Sequence, residues 1–153
     1  MTDTSKTALI AKAKDVVERE AQAVKALVDQ FNDGLEGVVD LLLNCQGHVL
    51  VTGAGTSRSV AGRFAHLLSC CGTPALFISA ADSLHGGSGA ITANDVVFAI
   101  SKGGRSAEIN QFAELDKSRG AKIIAQTENP DSPLGQMSDA VFKVKALGEI
   151  DPY

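Results

Sequence analysis

The sequence has few cysteines and no long apolar run, and each shortage excludes a class of protein. Three cysteines in 153 residues, of which Cys70 and Cys71 are adjacent, are too few for a disulfide framework. We therefore expect reduced thiols in the core of a cytoplasmic protein. No stretch approaches the roughly eighteen consecutive apolar residues of a membrane span, and the N-terminus lacks the apolar segment that directs export.

Net charge is also small. A formal charge of −4 gives no reason to expect nucleic acid or a membrane as a partner. Residues 1–46 contain five Lys or Arg and eight Asp or Glu, which is unlike a basic DNA-binding arm. Apolar residues make up 44% and charged residues 21%, as in ordinary soluble proteins, and the length predicts one domain over 1–153.

Two helices are predicted ahead of the first strand. Apolar side chains such as Leu9, Val17 and Val24 recur at helical spacing from 5 to 31. A second helix runs from Leu35 to Leu43. Because the apolar stripe of the first helix exceeds what a lone surface helix needs, we expect residues 1–46 to pack on the domain or on a neighbouring subunit.

From residue 47 onward, short apolar runs alternate with helical periodicity. Fifteen glycines against four prolines suit many tight turns between such elements. This alternation predicts an α/β fold, a three-layer sandwich whose parallel sheet carries helices on both faces. The predicted strands are 48–54, 75–79, 95–101, 122–127 and 140–146, and the predicted helices are 57–71, 106–119 and 132–138.

Two turns that each end a strand and begin a helix share one chemistry. Glycines let backbone N–H groups approach a ligand, and helix N-termini favour an anion. Turns that follow neighbouring parallel strands converge at one sheet edge, so we predict one phosphate held between them. The alternative is that these are ordinary capping serines and turn glycines. The candidates are Gly55, Thr56 and Ser57 in the first turn, and Ser101, Gly103, Arg105 and Ser106 in the second.

Three further residues are candidates for acid–base chemistry: Glu108, Glu149 and His85. A carboxylate partly shielded from water suits a base that takes a proton from carbon. Each candidate also has a plain explanation, because acidic residues are common in a first helical turn and lone charged residues are common in loops.

The combination of GAGTS (53–57), HGGSGAIT (85–92), DVVFAIS (95–101) and SAEI (106–109) resembles the sugar isomerase (SIS) domain family. The run 51–109, continued by 123–152, is most similar to the arabinose 5-phosphate isomerase branch. The resemblance implies a flavodoxin-like sheet of five parallel strands. It also implies a homodimer or homotetramer with sites at subunit interfaces, and chemistry without a metal or organic cofactor.

The implied activity is the isomerisation of an aldose phosphate and a ketose phosphate through an enediol. Arabinose 5-phosphate and ribulose 5-phosphate are the first candidate pair. In the family, hydroxyl side chains at the matching turn positions bind the sugar phosphate. Glu108 and Glu149 match functional glutamates, and His85 matches a histidine near the sugar.

Two alternatives stay open beside the isomerase. One is a non-catalytic domain that senses a sugar phosphate and acts through a protein partner. The other is a nucleotide-binding domain, which is disfavoured because Arg58 stands where G-x-G-x-x-G requires its third glycine.

The sequence departs from the family in three respects. Thr56 stands where relatives have lysine. The second turn reads SKGGRS, so Gly103 replaces a hydroxyl, while Lys102 and Arg105 add positive charge that could strengthen phosphate binding. The alternative is that each is a solvated surface charge; for Arg105 the two roles are balanced, and for Lys102 we favour the surface role. Relatives also continue beyond the position of Tyr153 through a helix that supplies another histidine, so we expect the α/β core over 47–153 to be incomplete at its C-terminus.

Overall fold

A computed structural model describes residues 3–31 and 33–145 of the chain. The chain forms two compact units. One comprises Met1–Phe31 with Lys145–Tyr153, and the other comprises Asn32–Val144.

In the first unit, helix α1 spans Asp3–Lys25, and a short 3-10 helix follows at Val28–Gln30. The prediction of one continuous helix over 5–31 is therefore wrong at its C-terminal end. Backbone hydrogen bonds change there to the tighter i to i+3 pattern, with Leu27 N donating to Val24 O at 3.1 Å. The Gln30 side chain is held by the backbone of Lys145, whose N–H donates to Gln30 Oε1 at 2.6 Å. Such a long-range contact has no signature in the local sequence.

The second unit begins with α2, which spans Asp33–Leu43, and continues as an alternating α/β chain. All five predicted strands and the three predicted helices between them are present, with ends that differ by a few residues at most. A short helix at Ala80–Ser83 and a 3-10 turn at Gly87–Ala90 were not predicted. The elements are β1 Val49–Gly53, α3 Thr56–Cys70, β2 Ala75–Phe77, α4 Ala80–Ser83, β3 Val96–Ile100, α5 Ala107–Ser118, β4 Lys122–Thr127, α6 Pro133–Met137 and β5 Ala140–Lys143.

The five strands form one parallel sheet in the order β2-β1-β3-β4-β5. This flavodoxin-like order confirms the predicted sheet. The register pairs Gly53 with Ile100, so β1 and β3 end at the same level. The chain leaves β1 for β2 on one side and then returns to β3 on the other, which places the topological switch point between β1 and β3.

Alternate strand residues feed two separate cores, one on each face of the sheet. Val49, Val51 and Phe98 pack with residues of α2 and α3 on one face. Val97 and Ala99 face the other core, where α5 contributes Phe112 and Ile109, both with no exposed surface. Helices therefore cover both faces, as the predicted three-layer sandwich requires. Because burial of one such aromatic or aliphatic side chain stabilises a fold by about 1.5–3 kcal/mol, these contacts hold the strand ends in place.

The three cysteines are free thiols. Cys45 is partly buried, but Cys70 and Cys71 are exposed, so the prediction of core thiols is wrong for this pair. The buried stripe of α3 runs through Ala61 and Ala65; Cys70, the last residue of the helix, lies off that stripe, and Cys71 is the C-cap residue beyond the helix. Within the part of the chain that the structure describes, no helix is both long and apolar enough to cross a membrane.

Candidate active site

A cleft of about 400 Å³ opens at the carboxyl edge of the sheet, at the switch point between β1 and β3. The helices that follow these two strands diverge to opposite faces of the sheet, which leaves a crevice between the turns. The cleft thus contains parts of both predicted phosphate turns. Its lining is Ala54, Ser57, Ile100, Ser101, Lys102, Gly103, Arg105 and Ser106.

The first turn brings the N-terminus of α3 to this edge. Gly55 is the N-cap residue, and its φ of +57° and ψ of −131° is a conformation that only glycine adopts without strain. No side chain caps this helix. The first N–H groups of an α-helix have no partner within the helix, so an uncapped N-terminus keeps donors available for an anion.

The second turn brings the N-terminus of α5 to the same edge of the sheet. Ser106 is the N-cap residue, yet its hydroxyl makes no capping hydrogen bond. Its Oγ instead lies 3.4 Å from the Oγ of Ser101, which is 94% buried at the end of β3. Ser106 is therefore not an ordinary capping serine, because its side chain faces another hydroxyl of the cleft.

The other two helices of the α/β layer are different. Ser79 caps α4 by accepting a hydrogen bond from Asp82 N, and Ser132 caps α6 by accepting one from Gly135 N. Among α3 to α6, only the two helices that flank the cleft lack a side-chain cap. Their partial positive charges therefore face the same crevice without compensation from their own caps.

Side-chain charge has the same sign. Lys102 and Arg105 line the cleft, and the lining that the structure describes contains no Asp or Glu. The chain as a whole carries a net charge of −4, so this positive cleft is a local feature. Such an arrangement attracts and holds an anion of two charges better than a neutral ligand.

Lys102 is the functional candidate that the sequence analysis missed, because we expected it only at the surface. It is exposed, as expected, but it also lines the cleft. Its position between Ser101 and Gly103 was the available signal. Two predicted phosphate ligands, by contrast, do not line the cleft. Gly55 and Thr56 belong to the first turn and are exposed, but they lie outside the cleft lining.

Neither of the two acid–base candidates that the structure describes, Glu108 and His85, is part of the cleft lining. Glu108 is partly buried in the first turn of α5, two residues after Ser106. His85 is exposed in the turn after α4, where its N–H donates to Asp82 O at 3.0 Å. Glu149 lies outside the described residues. The structure thus leaves the catalytic roles of these three residues as predictions.

A metal centre was not expected from the sequence. Within the described ranges 3–31 and 33–145, no group of three or more His, Cys, Asp or Glu side chains is placed to hold a metal ion. The strand order also differs from the 3-2-1-4-5-6 order of dinucleotide-binding Rossmann sheets, which argues against the Rossmann form of the nucleotide-binding alternative.

Comparison with known families identifies this architecture. Residues 42–150 match the SIS domain. The chain belongs to the SIS domain family. The match includes the sheet and both turns of the cleft, so the sequence resemblance is confirmed.

Similar SIS proteins come from several bacteria. The chain is 34% identical over 145 residues to arabinose 5-phosphate isomerase KpsF of Escherichia coli, which covers 94% of this chain and 44% of that protein. This SIS chain therefore spans less than half the length of that relative. A Listeria monocytogenes protein, provisionally described as a sugar-phosphate isomerase, superposes with a TM-score of 0.92 at 31% identity over 99% of this chain and 78% of its own.

A second structure shows a related fold with a ligand bound. Escherichia coli CFT073 c3406 in complex with arabinose 5-phosphate superposes on the SIS chain with a TM-score of 0.88. The two are 28% identical, over 99% of this chain and 79% of that one. A sugar phosphate is thus the ligand of a relative that shares almost the whole of this fold.

Proposed function

We propose that this SIS chain binds a sugar phosphate in the cleft and interconverts an aldose phosphate and a ketose phosphate. The observation that supports the proposal most strongly is the convergence of two uncapped helix N-termini on one crevice. Hydroxyls and cations line that crevice. The arabinose 5-phosphate isomerases among the relatives support the same class of reaction. Arabinose 5-phosphate and ribulose 5-phosphate are therefore the first pair to test.

The phosphate would be held by three kinds of donor. Ser57, Ser101 and Ser106 supply hydroxyls, the starts of α3 and α5 supply backbone N–H groups, and Arg105 supplies a guanidinium. A guanidinium can donate two parallel hydrogen bonds to a phosphate, which is stronger than one neutral hydroxyl contact. Arg105 would in this way compensate for the hydroxyl that relatives have where this chain has Gly103.

Isomerisation requires one proton to move between neighbouring carbons. A base removes the proton from C2 of the open-chain aldose, the C1 carbonyl oxygen gains a proton, and an enediol results. Loss of the C2 hydroxyl proton and return of a proton to C1 then give the ketose. We assign the carbon base to Glu108 or Glu149, with the other moving the hydroxyl protons, and we assign to His85 a role in ring opening or in binding a sugar hydroxyl.

The test is exchange of the substrate's C2 proton in deuterated water. The 153-residue chain is incubated with arabinose 5-phosphate, and deuterium incorporation and ribulose 5-phosphate are followed by NMR. An isomerase produces both, whereas a sensor domain binds the sugar phosphate and leaves its C2 proton in place. Binding without exchange would contradict the isomerase proposal.

Glu108 is tested with a matched control on the same helix. Glu108→Gln is expected to reduce the exchange rate by a factor of about 100 or more, since a positioned base contributes on that order, with retained binding of the sugar phosphate. Glu114→Gln alters an exposed glutamate of α5 and is expected to leave the rate unchanged. Equal rates in the two variants would remove Glu108 from the mechanism.

A further inference from the structure

The second phosphate turn is anchored from behind the cleft by groups of β4 and the segment that follows it. The carbonyl oxygen of Lys102 accepts two hydrogen bonds, one from Thr127 Oγ1 and one from Glu128 N, each 2.9 Å long. Thr127 is the last residue of β4 and has no exposed surface. Its side chain therefore cannot touch a ligand in the cleft.

The same turn is anchored again at Gly104. Its carbonyl oxygen accepts a hydrogen bond from Leu134 N at 3.2 Å, and its N–H donates to Ser101 O at 3.1 Å. Gly104 has a φ of +63°, and a Cβ at this position would overlap the buried side chain of Ser132. Both carbonyls are thus tied to the β4–α6 segment.

These anchors determine which way the turn presents its donors. The C=O and N–H of one trans peptide point in opposite directions, and the described residues contain no cis peptide bond. With the Lys102 carbonyl held by Thr127, the N–H of Gly103 points away from β4. With the Gly104 carbonyl held by Leu134, the N–H of Arg105 likewise points away from its anchor. Gly103 and Arg105 both line the cleft.

We propose that Thr127 is a positioning residue, whose hydroxyl orients the 101–106 turn for phosphate before the ligand binds. The hydroxyl also accepts a hydrogen bond from Asn129 N at 3.2 Å, so it joins the 101–106 turn to the segment after β4. A turn ordered in advance does not lose conformational freedom on binding, which strengthens affinity without a new contact. This inference rests on the proposed function of the cleft.

The test compares Thr127→Val, which keeps the shape and loses the hydroxyl, with Thr127→Ser, which keeps the hydroxyl. Thr52→Val is the matched control, since Thr52 is equally buried on β1 and its hydroxyl has no hydrogen-bond partner among the residues that the structure describes. Binding of inorganic phosphate to the 153-residue chain is measured by NMR titration. We expect Thr127→Val to weaken it about fivefold to tenfold, the usual net value of one hydrogen bond, and the other two variants to stay within about twofold of wild type.

Unchanged phosphate affinity in Thr127→Val would overturn the proposal, as would an equal loss in Thr52→Val. If Thr127→Val does not fold, amide exchange of the wild-type chain without ligand decides. The Gly104 amide should exchange slowly because it is bonded to Ser101 O. Exchange at the rate of an unprotected amide, slowed only when phosphate is added, would show that the turn is not ordered in advance.

Phosphate titration and amide exchange together distinguish a failure of this inference from a failure of the proposed function. If the wild-type chain binds no phosphate, the proposed function fails. Amide exchange of Gly104 in Thr127→Val without ligand still tests the anchoring role. Faster exchange than in wild type supports it, and unchanged exchange contradicts it.

Discussion

Arg105 brings a guanidinium into a cleft whose described lining has no carboxylate to neutralise it. Replacement by glutamine removes the charge and the pair of parallel donors. We expect Arg105→Gln to weaken binding of arabinose 5-phosphate about tenfold, in line with the roughly 1.5–3 kcal/mol of a charge-assisted hydrogen bond, and Arg105→Lys to recover only part of the loss. Isothermal titration calorimetry measures both.

Arg63→Gln is the control for this change, because Arg63 is an exposed residue of α3 that does not line the cleft. It should bind as wild type does. Equal affinities of Arg105→Gln and wild type would show that Arg105 is a solvated surface charge.

A second residue-scale prediction concerns Asp116, a residue of α5 that has no exposed surface. Burial raises the pKa of Asp116 from 3.8 to about 6, against the smaller lowering effects of the Ser88 hydroxyl and Arg119. Within the described part of the chain, neither carboxylate oxygen has a hydrogen bond of normal geometry, although Ser88 is close enough to affect the pKa of Asp116. The folded state therefore favours the protonated form of this carboxyl group more than the unfolded chain does.

The contribution of Asp116 to the free energy of unfolding depends on pH. Because the pKa is higher in the folded state, the stabilising contribution of Asp116 is complete below its ordinary pKa of 3.8 and is lost as pH rises through about 6. The side chain of Asp116→Asn is neutral at every pH. At pH 7.5 the substitution should therefore increase the free energy of unfolding by on the order of 1–3 kcal/mol and raise the melting temperature. Near pH 4.5 the gain should fall to about a third of that value.

Differential scanning calorimetry at the two pH values checks this prediction. Asp131→Asn, at an exposed aspartate, should change the melting temperature little at either pH. A lower melting temperature of Asp116→Asn at pH 7.5 would mean that the ionised carboxylate stabilises the fold.

At the scale of one element, adjacent glycines of the second turn make a natural pair for substitution. Gly104 has a positive φ and no room for a Cβ, whereas Gly103 has open space around the position of a Cβ. Gly104→Ser should destabilise the chain by about 2 kcal/mol or more, through backbone strain and overlap with Ser132, and should weaken phosphate binding. Gly103→Ser should fold normally and restore a hydroxyl to the cleft.

Thermal unfolding and titration with inorganic phosphate test the two variants together. Gly103→Ser is expected to bind phosphate as tightly as wild type or more tightly. Gly104→Ser is expected to bind phosphate most weakly of the three. Equal stability of the two variants would contradict the anchored geometry of the turn.

At the scale of the whole molecule, the apolar face of α1 predicts self-association. Leu9, Val17 and Val24 are 59%, 64% and 66% exposed. A contiguous apolar surface of this kind usually marks an interface. We expect light scattering after size exclusion to give the mass of a dimer or a tetramer.

Two negative charges on this face of α1 should dissociate the oligomer. Val17→Glu combined with Val24→Glu is expected to reduce the mass to that of one chain, because a buried unpaired carboxylate opposes association. Glu18→Gln, a change at an exposed polar position of the same helix, should leave the mass unchanged. A monomeric wild-type chain would contradict the prediction.

Much of the fold could be predicted because its signals are local. Apolar runs bounded by glycine indicated the strands, and 122–127 was predicted with its observed bounds. The contact of the 3-10 helix that follows α1 could not be predicted, because Gln30 is held by Lys145, 115 residues away in sequence. The exposure of Cys70 and Cys71 depends on where the last turn of α3 lies relative to the sheet.

Some residues of the candidate site could likewise be predicted from the sequence, and others could not. Ser57, Ser101 and Ser106 could be named from two turns of similar composition, and the structure places all three in one cleft. Nothing in the local sequence shows that Ser106 leaves its helix uncapped or that Lys102 lines the cleft. Thr127 has no motif, since its importance comes from a contact with the backbone 25 residues earlier.

The sequence by itself determined the alternation of strands and helices, the family and the chemistry of the two turns, because periodicity and turn composition act over a few residues. The tertiary structure decided which donors face the cleft, which helix ends stay uncapped and which buried groups hold the second turn. Those properties depend on strand order and on the direction of individual peptide planes. Both are set by contacts between residues that are far apart in the chain.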